Sequence, residues 1–116
     1  MSKTIQVQYA DDRNDETVTA KDNLYDYPWN QYRKVESSIK ARAQMDRNGE
    51  IQGLNISSEE MGDFIVEMQE AIAELVLNSN DITLDEVNVQ TVKNIFQAYT
   101  DDIEKLGLKL KKNQQE

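Results

Sequence analysis

The segment at residues 57–78 constrains the fold more than any other part of the sequence. It opens with the motif SSEE, in which Ser57 can accept a hydrogen bond from the backbone while the Glu60 carboxylate reaches back, so a helix is predicted to start at Ser58. Apolar residues follow at helical spacing: Met61, Phe64, Ile65, Met68, Ile72, Leu75 and Val76. Such a helix, of about 20 residues and about 30 Å, needs packing partners along its whole length.

The same predicted helix carries a second apolar strip on another side. Val66, Ala73 and Leu77 lie roughly 120° from the centre of the main stripe. A helix that is apolar on two sides is either central in its own bundle or meets another chain. Because three helices leave little room to enclose one of them, we favour a subunit contact and expect these three residues to bind protein.

Two further helices are predicted, one on each side of this segment. The first runs from Pro28 to about Gln44, because proline suits a first helical turn and the residues after it repeat an apolar position every three or four places. Its apolar stripe comprises Trp29, Tyr32, Val35, Ile39 and Ala43. The other runs from Leu84 to about Lys105, opened by a capping box with Thr83 as the cap, and Gly107 is its predicted stop.

The remaining segments give weaker signals. Residues 1–26 alternate apolar and polar positions only briefly before turning polar, which fits either a flexible arm or an edge strand, and we favour the arm. The stretch MDRNGEIQGLNI between the first two helices predicts a plain loop or a short hairpin. Residues 108–116 are basic and then polar, which is typical of a frayed tail.

These elements predict a mainly all-α protein of one domain. We expect a three-helix body at residues 27–107, preceded by a flexible or short-strand N-terminal arm at residues 1–26 and followed by a basic tail at residues 108–116.

The composition argues against an enzyme. The chain has no cysteine and no histidine, which removes the thiolate ligands, the commonest general base and the commonest neutral metal ligand. The acidic residues Asp63, Glu67, Glu70 and Glu74 form a stripe on the second helix. Carboxylate-bridged metal sites in helical bundles normally include histidine, so we interpret this stripe as a solvated face. We expect no enzymatic activity, no cofactor and no metal.

Charge is distributed unevenly along the chain. The net charge is −9, and residues 57–104 alone carry −11, whereas residues 27–56 carry +2 and residues 105–116 carry +3. An acidic body is repelled by phosphate backbones, so direct binding to nucleic acid is disfavoured. Neither an export signal nor a membrane-spanning apolar run is evident, and we expect a cytoplasmic protein without membrane contact.

Two aromatic residues at the start of the first helix are candidates for protein binding. Trp29 can be an interface anchor or a core residue, and its position beside the N-terminal arm leaves both alternatives open. Tyr32 lies one turn further on. We therefore group Trp29 and Tyr32 with the second apolar strip as candidate contact residues.

The sequence as a whole resembles the small tail assembly chaperones of long-tailed bacteriophages that infect Gram-positive bacteria, in the style of lactococcal phages. The resemblance lies in the opening KTIQVQYADD, the helices NISSEEMGDFIVEMQEAIAELV and ITLDEVNVQTVKNIFQAY, and the lysine-rich end KLGLKLKKNQQE. It implies a mostly helical protein that binds the tape measure protein, the long helical chain that sets tail length. It further implies self-association into a spiral or ring-like coat in the host cell cytoplasm, absent from the mature virion.

A second function is compatible with the charge. An acidic inhibitor that mimics nucleic acid and blocks a host DNA-binding protein would need a continuous negative surface, which residues 57–104 could supply. The basic bias of the first helix and the tail would weaken that surface, so we favour the chaperone.

Overall fold

The fold combines α-helices with β-hairpins, and the all-α prediction is wrong. The computed structural model describes residues 2–41, 43–45, 47–48, 51–54 and 57–105. Within these ranges the elements are β1 (Ser2–Val7), β2 (Glu16–Lys21), α1 (Trp29–Lys40), β3 (Ala43–Met45), β4 (Ile51–Leu54), α2 (Ser58–Asn78), α3 (Val89–Ala98) and α4 (Thr100–Lys105). Short 3₁₀ turns span Leu24–Asp26 and Leu84–Glu86.

The N-terminal segment forms a β-hairpin, so the favoured prediction of a flexible arm is wrong. β1 and β2 pair antiparallel from Ser2 opposite Lys21 to Val7 opposite Glu16. Alternation along the two strands buries one face, whose members belong to the same core as the helices: Ile5, Val7, Val18 and Ala20. Burial of these residues against the helices offsets the conformational entropy lost when the segment becomes ordered. The sequence alone does not show the helical surface that makes this burial possible.

α2 lies at the centre of the core. It begins at Ser58 as predicted, and the capping box forms: the Glu60 amide donates to Ser57 Oγ at 3.2 Å, and the Ser57 amide donates to Glu60 Oε1 at 3.0 Å. The main stripe is buried except at Met61 and Ile65, which are half-buried, and Ala73 and Leu77 of the second strip are buried too. The core of this chain therefore encloses α2 on both apolar sides over its second half.

The hairpin is tied to the end of α2 by one side chain. Asn80, just beyond the helix, donates from Nδ2 to the carbonyl of Val76 and to the carbonyl of Thr19 on β2, at 3.0 Å each. Asp81 then takes a left-handed backbone conformation, with φ of 62°, which an aspartate tolerates better than most residues. This turn sends the chain back along α2.

The first helix is shorter than predicted. α1 ends at Lys40, and the chain after it enters the β3–β4 hairpin, whose strands pair from Ala43 opposite Leu54 to Met45 opposite Ile51 with an irregularity between them. The extension of the helix to Gln44 is therefore wrong, because backbone pairing with β4 replaces the helical hydrogen bonds there. The hairpin itself is one of the two alternatives that the sequence left open.

The third predicted helix is divided into three pieces. Glu86 reaches back to Thr83 as the capping box predicts, with Oε2 accepting from the Thr83 amide at 3.0 Å, and it also accepts from the Thr83 hydroxyl at 2.9 Å. Only a 3₁₀ turn follows, since Val87 is extended and forms a bridge with Tyr9. The α-helix starts at Val89, and a break at Tyr99 separates α3 from α4.

A polar seam joins β1 to the start of α3. The buried hydroxyl of Thr91 accepts from the Gln8 amide at 2.6 Å and donates to the Gln8 carbonyl at 2.8 Å. Asn88 caps α3 by accepting from the Thr91 amide at 3.1 Å, and its own amide donates to the Gln8 carbonyl at 2.9 Å. These bonds satisfy the end of β1 and fix where α3 begins.

The predicted stop at Gly107 and the basic tail at residues 108–116 lie outside the described residues. In the described ranges, no helix is both long enough and apolar enough to cross a bilayer.

Two substitutions on α2 test the enclosure of that helix. Leu77→Ala should lower the free energy of unfolding by roughly 2–5 kcal/mol, because Leu77 is fully buried and its truncation leaves a cavity. Val66→Ala, on the same helix but 51% exposed, should change it by less than about 0.5 kcal/mol. Urea denaturation of both variants measures the difference. Equal small effects would mean that the second strip faces solvent or another chain.

Candidate protein-binding surface

Three aromatic side chains cluster where α1 begins, and we call them the aromatic patch: Tyr25, Trp29 and Tyr32. The Tyr25 ring meets the Tyr32 ring edge-on, with centroids 5.5 Å apart, and the Trp29 ring lies tilted with its centroid 6.4 Å from that of Tyr32. Tyr25 is 70% exposed and Trp29 63% exposed, whereas Tyr32 is buried beneath them. The patch thus presents two large rings to solvent on a third that belongs to the core.

The 3₁₀ turn that carries Tyr25 is anchored to α4. Leu24 is buried, and its amide donates to Asp102 Oδ2 on α4 at 2.7 Å. With Leu24 turned inward and held there, the next residue, Tyr25, is turned outward.

A pair of buried tyrosines holds the other side of this turn. The Tyr27 hydroxyl accepts from the Lys21 amide at 3.2 Å, and the Tyr99 hydroxyl donates to the Lys21 carbonyl at 2.5 Å. The two hydroxyls lie 3.3 Å apart. Burial, followed by the hydrogen bond to Tyr27, raises the pKa of Tyr99, so its hydroxyl stays protonated as a donor. The end of β2, the turn and the α3–α4 break therefore form one rigid support.

Tyr32, the ring beneath the other two, is in an unusual environment. It is 4% exposed, and its hydroxyl has no hydrogen-bond partner among the described residues. Burial, and next the neighbouring Tyr25 phenol, raises the pKa of Tyr32, so the group stays neutral. A buried hydroxyl without a partner costs free energy, and the ring is therefore what Tyr32 contributes to packing.

Beside the patch, α1 and α2 border an open groove of about 710 Å³. Across it Lys34 Nζ lies 2.7 Å from Glu74 Oε1, and along its rim Lys40 Nζ lies 3.7 Å from Glu36 Oε2. Such exposed pairs contribute little to stability, but they neutralise both lysines. Arg33, which also lines the groove, forms no ion pair with any described residue.

The structure separates the five sequence-predicted contact residues. Trp29 and Val66 are exposed, on different helices, whereas Tyr32, Ala73 and Leu77 are buried in the chain's own core. The subunit contact inferred for the second strip therefore has only Val66 to offer as surface. Of the predicted residues, the structure brings only Trp29 and Tyr32 together.

Sequence reasoning missed Tyr25. A usable signal was present, because Tyr25, Trp29 and Tyr32 are spaced by four and then three residues, as on one side of a helix. The helix was taken to start at Pro28, which excluded Tyr25 from that comparison.

The acidic stripe on α2 lies at the surface. Asp63 and Glu70 are exposed, and Glu67 and Glu74 are half-buried. No group of three or more acidic side chains in the described part of the chain is arranged so that it could hold a metal ion.

Comparison with known proteins gives no relative. No family model matches the chain, and neither a curated protein nor a solved structure is similar to it.

A conservative change at the base of the patch tests the Tyr32 hydroxyl. Tyr32→Phe should leave the free energy of unfolding unchanged or raise it by up to about 1 kcal/mol, because it removes a buried hydroxyl that has no partner and keeps the ring. Thermal and urea unfolding measure the change, with Tyr99→Phe as the matched control, which should destabilise because that hydroxyl bonds the Lys21 carbonyl. A loss of more than about 1 kcal/mol for Tyr32→Phe would show that the hydroxyl is bonded in solution.

Proposed function

We propose that this protein is a phage tail assembly chaperone that binds the tape measure protein in the host cytoplasm and keeps it soluble until the tail tube polymerises. The observation that carries the proposal is the aromatic patch, with Tyr25 and Trp29 70% and 63% exposed. The sequence resemblance supplies the identity of the partner.

The patch has the chemistry of a protein contact. Tryptophan and tyrosine are enriched among the residues that dominate binding energy, since each buries a large area with few rotatable bonds. Here Tyr32 supports both exposed rings from below, so they lose little freedom on binding. An amphipathic helix exposes an apolar stripe, and covering that stripe with the patch removes it from water.

The acidic body supports the second half of the proposal. Residues 57–104 carry a net charge of −11, so each bound copy adds strong negative charge to the complex. Like charges keep coated chains apart and oppose aggregation. Weak contacts suffice for each copy when many copies line one partner and associate with one another, because avidity adds to the affinity of each contact.

The nucleic-acid mimic has less support. It requires a continuous row of carboxylates, and the neighbouring surface of α1 carries Arg33, Lys34 and Lys40 instead. Two of these cations are paired with Glu74 and Glu36, which removes carboxylates from the negative surface. We keep it as the outcome to which failure of the chaperone test would point.

Co-expression tests the proposal. The tape measure protein should remain soluble with the wild-type chain and be recovered with it in a pull-down. Trp29→Ala should weaken binding by about 2 kcal/mol, roughly 30-fold in Kd, because it removes an exposed anchor. Val89→Ala, at an apolar residue that is 69% exposed on α3, is the matched control and should bind normally.

Two results would contradict the proposal. The tape measure protein could stay equally insoluble with and without this chain. A host DNA-binding protein could instead co-purify with it, which would establish the mimic.

A further inference from the structure

We propose that the aromatic patch and Arg33 together select a helical segment whose apolar stripe is flanked by carboxylates. This inference rests on the proposed function, since it specifies the chemistry of the partner at the same surface. It concerns which side chains the partner must carry, whichever protein supplies them.

Arg33 lies beside the patch on the same face of α1. It is four residues after Trp29, so the two side chains emerge one helical turn apart on the same side, and both line the groove between α1 and α2. Both are exposed. Tyrosine, tryptophan and arginine are the three residue types that most often dominate binding energy. Here Trp29 and Arg33 lie on the first turns of α1, and Tyr25 lies on the 3₁₀ turn just before it.

Arg33 differs from the other cations of the groove. Lys34 pairs with Glu74 and Lys40 pairs with Glu36, whereas the guanidinium of Arg33 has no acidic partner in the described ranges. Its planar fork matches a carboxylate through two parallel hydrogen bonds, and it stacks readily beside aromatic rings. A partner that seats an apolar side chain on Trp29 can therefore place a carboxylate on Arg33 one turn away.

The charge of the remaining surface sharpens this preference. The chain carries −9 overall and −11 over residues 57–104, so an acidic segment is repelled wherever it meets that part of the body. Beside the patch, Glu36 is paired with Lys40 and Asp102 accepts from the Leu24 amide, so Arg33 is the unpaired charge that such a segment meets there. Repulsion elsewhere fixes the position of the partner, as unfavourable contacts do in specific interfaces.

The same charges argue against an anionic membrane as the occupant. Aromatic rings beside cations are common in surfaces that bind lipid headgroups, but those surfaces use clusters of several unpaired lysines and arginines. Here Glu36 and Glu74 lie among the cations, and two of the three cations are already paired. One unpaired guanidinium on an acidic protein favours binding to a single carboxylate over binding to an anionic membrane surface.

Trp29 provides a local reporter for the test, because it is the single tryptophan of the chain. Two synthetic amphipathic helical peptides without tryptophan are titrated into the full-length protein. They share one leucine and phenylalanine stripe and differ only in the flanking positions, which hold glutamate in one peptide and lysine in the other. The glutamate peptide should shift the Trp29 emission to shorter wavelength and bind at least about tenfold more tightly than the lysine peptide, despite the negative charge of the protein.

Two variants distinguish the effect of the Arg33 guanidinium from the effect of positive charge in general. Arg33→Gln should abolish the preference for the glutamate peptide and leave the far-UV circular dichroism unchanged, because Arg33 is exposed. Lys93→Gln removes the same charge at an exposed position on α3 and should keep the preference.

The inference is overturned if both peptides shift the Trp29 emission with equal affinity, if the lysine peptide is preferred, or if vesicles of anionic phospholipid shift it while the glutamate peptide does not.

Titration of a tape measure fragment separates the two proposals. Binding of the fragment with no preference between the peptides removes only the carboxylate requirement, whereas preference for the glutamate peptide with no binding of the fragment removes only the proposed partner.

Discussion

The burial of α2 on more than one side is the constraint on which the rest of the fold depends. Ala73 and Leu77 are buried on a side of α2 other than its main stripe, so this helix is covered on two sides. The N-terminal hairpin adds to the same core, with β1 beside α3 and β2 tied to the end of α2 through Asn80. Its buried residues alternate along β1 and β2 and join the core of the helices, so the hairpin is a layer of the domain.

Adding a hairpin to a helical core creates polar groups that must be satisfied where the two meet. The end of β1 would leave the amide and carbonyl of Gln8 without a strand partner, and the Thr91 hydroxyl bonds both. At the other end of the hairpin, the Tyr27 and Tyr99 hydroxyls bond the backbone of Lys21. Thr91 at one end of the hairpin and Tyr99 at the other therefore act from elements far away in the sequence, whereas Tyr27 acts from six residues away.

This explains which parts of the fold could be predicted from the sequence. The start of α2 was predictable, because the Ser57 and Glu60 capping box is a local interaction between residues three apart. The start of α3 was not, because Val87 is held extended by Tyr9, and the sequence gives no sign of a pairing across more than seventy residues. The hairpin was undervalued for the same reason: its short alternation is a weak signal until the core that its buried face joins is known.

The same distinction between local and long-range interactions applies to the candidate site. Local spacing correctly placed Trp29 and Tyr32 on one helix end, but it could not decide which ring would be exposed. Ala73 and Leu77 were assigned to a surface because three helices were counted as the whole body, whereas the core also contains the N-terminal hairpin. Tyr25 is exposed because Leu24 is turned inward by Asp102, a contact between residues 78 positions apart that no pattern announces.

In this chain, the residues that support the patch differ from the residues that are exposed for binding. The groups that hold it, Leu24, Tyr27, Tyr99 and Asp102, belong to the core or bond to the backbone, whereas Tyr25, Trp29 and Arg33 extend outward from that frame. Exposed rings on a rigid base lose little conformational freedom when a partner covers them, so more of the contact energy remains for affinity. A small protein can thus keep two large aromatic side chains in water, provided that the residues beneath them carry the stability of the fold.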